Sequence, residues 1–266
     1  MEIQTPEPHS ALKDIIKEYY YIQMDWNGEA KHLPIVDDCC NDFVVFKEAD
    51  ALFTYGEEQT TVPISSKVFT VLNATLPYQL SFKESLTFFT IKCHPWMNRY
   101  FFSEVNGSVV LNLETYHPEL LSIHSKMLHN GAVEDMAKMA DDFVRDKNVE
   151  LTNAMVFVKS VCEYITEKKG RVKVSEISEH FGKSRQYINK VFTAEVMYSL
   201  KVFIVSVRII NLIKHKAKHK SAALTSLCYE YGYFDQAHFI NDFKRVAGVT
   251  PTQYFNSLPE FILRHN

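Results

Sequence analysis

Two stretches decide the fold: VSEISEHFGKSRQYINKVF over Val174–Phe192 and LTSLCYEYGYFDQAHFINDF over Leu224–Phe243. In each, an amphipathic run ends at a glycine, Gly182 or Gly232. A short break follows, and a second run opens at a capping residue, Ser184 or Asp235. Glycine takes positive φ without steric penalty, so it lets a helix stop and the chain turn sharply. Ser and Asp accept hydrogen bonds from the orphan N–H groups of the next helix's first turn. The pattern predicts helix-turn-helix units at 174–195 and 224–245, and the second helix of such a unit is the one that lies in a DNA major groove.

The apolar positions agree across the two units. Val174, Ile177 and Phe181 share one helix face, and Ile188, Val191 and Phe192 the face that packs on it; Leu224, Leu227, Cys228, Tyr231, Phe239 and Phe243 repeat the arrangement. The opposite face of the first recognition helix shows Arg185, Gln186, Asn189 and Lys190. Arg and Lys suit guanine, and Asn and Gln suit adenine. The second shows Gln236, Ala237, Ile240 and Asn241, whose two apolar members suit thymine methyls. One such motif alone is weak, because short matches misfire. Two with matching caps and cores, some fifty residues apart, are far more specific.

The C-terminal hundred residues, Val156 to about Phe255, resemble the DNA-binding domain of the AraC/XylS family of bacterial transcription regulators. The resemblance rests on YGYFDQAHFINDFKRVAGVTP and on the closing GVTPTQYF, with Gly248, Thr250, Pro251 and Tyr254. It implies two helix-turn-helix units joined by a linker helix, about Ser199–Lys218, entering successive major grooves on one face of double-stranded DNA. By position, Gln186, Asn189 and Lys190 fall where the family's first recognition helix reads bases, and Gln236, Ala237, Ile240 and Asn241 fall on the second. Ser184, Lys214, Lys218, His238 and Lys244 are the candidate backbone contacts, and RNA polymerase is an implied partner. One departure stands out: members usually have a glycine after the first recognition helix, and this chain has Met197. A longer or differently shaped turn is expected there.

Charge divides the chain in the same place. Lys159–Tyr254 holds 16 Lys and Arg against 8 Asp and Glu, whereas residues 1–158 hold 12 basic and 23 acidic side chains. The net charge of −3 therefore hides a basic part that offsets phosphate and an acidic part that does not. Lys214, Lys216, Lys218 and Lys220, with His215 and His219, end the linker helix and are placed either beside the DNA backbone or as an ordinary solvated helix end.

The N-terminal half reads as β-rich. Lys13–Met24 opens as helix or strand, with Tyr19–Tyr21 favouring strand. Asp42–Phe46, Leu52–Tyr55, Lys67–Leu72, Tyr78–Phe82 and Leu86–Cys93 follow as strands between turn residues. This spacing predicts a small barrel or sandwich, and the family resemblance implies a cupin-like barrel that binds a small-molecule effector. The expected fold class is thus α+β: a β-rich sensing domain (1–112), a helical dimerisation and linker region (113–150) and an all-α DNA-binding domain (153–258). A pocket already filled by Phe43, Phe46, Phe53, Phe69, Phe82, Phe88 and Phe89 would instead favour a regulator without a ligand, controlled by abundance or a protein partner.

Chemistry is not signalled. His9, His32, His94, His117, His124 and His129 are scattered with no His-x-His, and no Gly-rich phosphate loop, G-x-S-x-G or H-E-x-x-H is present. His94-Pro95-Trp96 reads as a structural corner before a ligand set. The expectation is no enzyme, no cofactor and no metal, with a cupin-type enzyme as the remote alternative. His117–His129 and Val133–Arg145 read as helices. Met136, Met139, Phe143 and Val144 on the second are the candidate seam of a homodimer, the bland alternative being that they cover the barrel. Asn153–Lys168 opens the DNA-binding domain. No leader or membrane-spanning apolar run is visible, and the five cysteines, with Cys39 and Cys40 adjacent, read as free thiols of a cytoplasmic protein.

Overall fold

Strand alternation in the N-terminal half builds a sheet that is buried on both faces. The computed structural model describes residues 2–25, 31–47, 51–72, 77–82, 85–104 and 109–257. The strands are β1 (Glu2–Gln4), β2 (Ile16–Asp25), β3 (Lys31–Ile35), β4 (Asp42–Phe46), β5 (Ala51–Tyr55), β6 (Thr60–Ile64), β7 (Val68–Val71), β8 (Tyr78–Phe82) and β9 (Ser85–Cys93); helix α1 (Asn98–Phe102) precedes β10 (Val110–Asn112). They form a six-stranded sheet, β1-β2-β9-β4-β7-β10, and a four-stranded sheet, β3-β8-β5-β6. Every pairing is antiparallel.

Successive side chains point to opposite faces, so each strand of the larger sheet serves two cores. Tyr19, Phe43, Val45, Val68, Phe89 and Ile91 face one way and are buried with helices α2 (Leu121–Leu128) and α3 (Val133–Asp146). Ile22, Met24, Phe46 and Phe69 face the other way and meet Phe53, Ile64 and Tyr78 of the smaller sheet. The expected strands are all present. The four that the sequence did not suggest, β1, β10, β3 and β6, are the edges of the two sheets.

The dimer seam is corrected. Met136, Phe143 and Val144 are buried, and Met139 packs half-buried on the same core. Phe143 meets Phe43 of β4 edge-on at 5.2 Å, and Tyr19 donates from its hydroxyl to Asp141 Oδ1 at 3.0 Å. The outer face of the sheet needs an apolar cover, and α3 supplies it, so these side chains are not available to a second copy. At the corner before α1, His94 stacks on Trp96 at 4.2 Å and Trp96 donates to the Asp14 carbonyl at 2.8 Å. That corner is structural.

The C-terminal part is helical: α4 (Asn153–Glu167), α5 (Val174–Phe181), α6 (Arg185–Val196), α7 (Leu200–Lys218), α8 (Leu224–Glu230), α9 (Gln236–Ala247) and α10 (Pro251–Ser257). Among the described residues no single helix is long and apolar enough to cross a membrane. All five cysteines are buried free thiols.

Candidate nucleic-acid interface and its link to an N-terminal cavity

Helices α5 and α6 form the first unit, and its local chemistry follows the sequence. The Glu176 carboxylate accepts the Lys173 N–H at 2.7 Å at the start of α5. Gly182 ends it at φ 60°, where a side chain would be strained although space is open around it. Ser184 Oγ then accepts the Tyr187 N–H at 3.1 Å and starts α6. Ile177, Ile188 and Phe192 are fully buried between the helices. The second unit repeats the plan. Gly232 turns at φ 78°, and Asp235 Oδ1 accepts the His238 N–H at 2.7 Å to start α9 over buried Leu227, Cys228, Phe239 and Phe243.

The two outward faces differ. Arg185, Gln186, Asn189 and Lys190 are exposed on α6, and Gln236, Ala237, Ile240 and Asn241 on α9. Asn189 donates to the Arg185 carbonyl at 2.9 Å, and Gln236 to Thr225 Oγ1 at 3.4 Å. Each amide gives up a local bond when it turns to a base edge. The backbone candidates Ser184, Lys214, Lys218, His238 and Lys244 are all exposed. His238 also reaches toward the buried Asp242 at 3.5 Å, which Arg245 holds at 2.8 Å.

Desolvation, then Lys17, lower the pKa of Lys214. Sequence reasoning missed Phe234, 91% exposed in the second turn, and Tyr187, exposed on α6. Phe234 was visible in the sequence beside Tyr233, in the break between Gly232 and Asp235.

Met197 corrects a second expectation. The turn after α6 keeps the left-handed geometry a glycine would take, with φ 64° and ψ 6°, and the Met197 N–H reaches the Thr193 carbonyl at 3.0 Å. The strain is held by contacts from the N-terminal half. Asn98, wholly buried at the start of α1, donates from Nδ2 to the Val196 carbonyl at 2.8 Å and to the Cys39 carbonyl at 2.9 Å, and its Oδ1 accepts the Asn41 N–H at 3.0 Å. Arg99 pairs with Glu195 at 3.4 Å.

Tyr198, two residues past the end of α6, lines a cavity of 240 Å³ between the two sheets. Ile22, Met24, Phe46, Phe53, Phe69 and Phe88 make its apolar wall. Phe43 and Phe89, expected among the filling aromatics, belong to the opposite face of the sheet and the other core. The polar end holds Glu18, Asp37, Asp38, Asn41, Asp42 and Lys92. Burial opposes charge on Asp38, but Lys17 and Lys92, 3.2 Å away in the case of Lys92, hold its carboxyl well below the usual range. Burial, then Asp38, push Asp37 up to about 6. Burial pushes Asp42 up to about 7 against the pull of Lys92.

Comparison with known proteins agrees with this layout. A family model described as a helix-turn-helix domain matches residues 177–257. ToxT from Vibrio cholerae O395, solved with (E)-4-(8-methylnaphthalen-1-yl)but-3-enoic acid, is 13% identical at a TM-score of 0.50, covering 99% of this chain and 100% of that one. An apo single-substitution variant of ToxT from strain SCE256 is 14% identical at 0.50, covering 92% and 97%. The C-terminal domain of AraT, a response regulator from Geobacillus stearothermophilus, is 18% identical at 0.36, covering 41% of this chain and 89% of that one. At such identities the likeness is one of fold. No curated protein sequence matches the chain.

Proposed function

We propose that this chain, whose residues 177–257 match a helix-turn-helix domain, is a DNA-binding regulator of the AraC/XylS type that acts on transcription at specific sites under control of a small molecule bound between the two N-terminal sheets. Arg185, Gln186, Asn189 and Lys190 read one major-groove segment, and Gln236, Ala237, Ile240 and Asn241 the next. Ser184, Lys214, Lys218, His238 and Lys244 touch the backbone, and RNA polymerase is the partner at the promoter.

One observation carries the sensing part of the reading: a side chain two residues beyond the first recognition helix, Tyr198, is also a wall of the cavity. An effector alters DNA binding only through its differential affinity for two arrangements of the halves. Contacts to Tyr198, and to the Asn41–Asn98–Val196 hydrogen-bond chain beside it, supply such a difference. ToxT is solved with a small acid, which supports a ligand-controlled regulator on this fold without naming the ligand here. The ligand-free alternative loses its motive, since the aromatics leave 240 Å³ open.

Genome-wide mapping of sites bound by the purified full chain tests the proposal. The expected result is one enriched motif with two blocks, lost in an Asn189→Ala and Lys190→Ala double variant. Binding without an enriched motif would remove the sequence-specific reading.

A further inference from the structure

The polar end of the cavity selects a ligand chemistry. Resting on the reading of the cavity as the sensing site, we propose that the effector is a small organic cation, an ammonium-type head on an apolar body, with its head seated at Asn41 and Asp42. The apolar wall takes the body. At 240 Å³ the space lies below the range of about 300–1,000 Å³ typical of drug-sized pockets, so the body is small.

The head site is built and unfilled by protein groups. Asn41 is 3% exposed and lines the cavity, yet neither its Oδ1 nor its Nδ2 has a hydrogen-bond partner. Asp42 Oδ1 is buried beside it without a partner, whereas the Asp37 carboxyl accepts the Cys39 N–H and is hydrogen-bonded by Tyr198 and Tyr78. Buried polar atoms left this way are uncommon, and several on one cavity wall point to something that completes them.

Charge decides what completes them. Four carboxyls line the cavity, those of Glu18, Asp37, Asp38 and Asp42, against one ammonium, Lys92. Lys92 is already 3.2 Å from Asp38 and 3.8 Å from Glu18, and Lys17 also pairs with Asp38. Lys214 of α7 is exposed and does not line the cavity. Asp37 and Asp42 are left with no ammonium or guanidinium at ion-pair distance among the described residues, and burial, joined by Asp38, raises the pKa of both. A carboxylate ligand would enter a low-dielectric space beside like charge, with the nearest ammonium already paired. An ammonium finds acceptors at Asn41 Oδ1 and Asp42 Oδ1 and supplies the missing counter-charge.

The position also suits signalling. The backbone N–H of Asn41 bonds Asn98, which bonds the last carbonyl of α6. A head group held by the Asn41 side chain therefore sits one residue from the contact that fixes the first recognition helix.

Calorimetric titration of the full chain with three probes of matched shape tests this: 4-phenylbutylamine, 4-phenylbutanoate and 4-phenylbutan-1-ol. The amine is expected to bind at least tenfold more tightly than the acid and the alcohol, and Asp42→Asn to bring it down to the alcohol's level. Acid or alcohol binding as tight as the amine would overturn the cation while leaving the sensing cavity in place. Amine binding untouched by Asp42→Asn would put the head elsewhere and overturn the site. No binding by any of the three at millimolar concentration would overturn both the cation and the sensing role. Should Asp42→Asn fail to fold, the wild-type ranking of the three probes decides alone.

Discussion

The two helix-turn-helix units share caps, turns and buried faces, and they differ in what they show and what holds them. The first presents four hydrogen-bonding side chains on α6, the second two amides and two apolar groups on α9. The first ends on a strained Met197 tied to the N-terminal half through Asn98 and Arg99. The second ends on Gly248, which takes φ 76° without a side chain to strain. The unit with the richer face is thus the one tied to the N-terminal half by hydrogen bonds, while Gly248 of the second lies against Pro77. On the proposed reading, discrimination and control meet at the first unit, and the second adds binding surface and methyl contacts.

The strongest break in that comparison is Asn98→Ala. It leaves the Val196 and Cys39 carbonyls and the Asn41 N–H without their partner in a buried setting. Each unsatisfied buried group costs about 1–3 kcal/mol, so a loss of roughly 3–5 kcal/mol is expected in urea unfolding. The variant should also bind DNA alike with and without effector. A loss under about 1 kcal/mol would mean that the first unit is not held there.

Base readout gives the next effect. Asn189→Ala or Lys190→Ala should cost about 1–3 kcal/mol at one base pair and relax specificity at that position. Gln236→Ala should cost less, because Ala237 and Ile240 beside it offer only methyl contacts. Competition binding against a panel of singly substituted sites measures both. If the half-site under α9 tolerates fewer base changes than the half under α6, the ranking of the units reverses.

A smaller effect separates reading from holding. Lys218→Ala should weaken all sequences alike and reduce the salt slope by about 1, with the base preferences unchanged. Fluorescence anisotropy at several salt concentrations reads it. Lys214→Ala should act in the same way, because Lys214 is likewise exposed on α7.

The two halves were legible in the sequence to different degrees, for a physical reason. Both helix-turn-helix units are local: caps, glycine and apolar spacing lie within twenty residues, and Ser184 and Asp235 act as caps. The central strands were visible for the same reason, since Phe43–Phe46 and Phe88–Ile91 must serve two cores at once. The edges were not. Strands β3 and β6 contain Pro34 and Pro63, and such interruptions are tolerated at edges and suppress the strand signal. The amphipathic face of α3 was plain, but its partner was not, because only the folded sheet sets Phe43 against Phe143. Asn98 and Tyr198 carried no signal at all: their importance comes from contacts across more than fifty residues.

The smallest expected effect concerns the two helix ends. Met197→Gly removes a non-glycine residue from the left-handed region, a relief of about 1–2 kcal/mol. It also removes a half-buried side chain packed on the core and adds unfolded-state freedom worth roughly 0.5–1 kcal/mol. These terms nearly cancel, so unfolding should shift by less than about 1 kcal/mol, with DNA affinity unchanged. The reciprocal change is not balanced. At Gly248 a side chain meets the same strain, and its Cβ would lie 3.0 Å from Pro77 Cβ, so Gly248→Met should lose about 2 kcal/mol or more. A large loss from Met197→Gly would show that the thioether, rather than Asn98 and the backbone, holds the first unit's turn. Equal effects at the two sites would mean that the units are fastened in the same way after all.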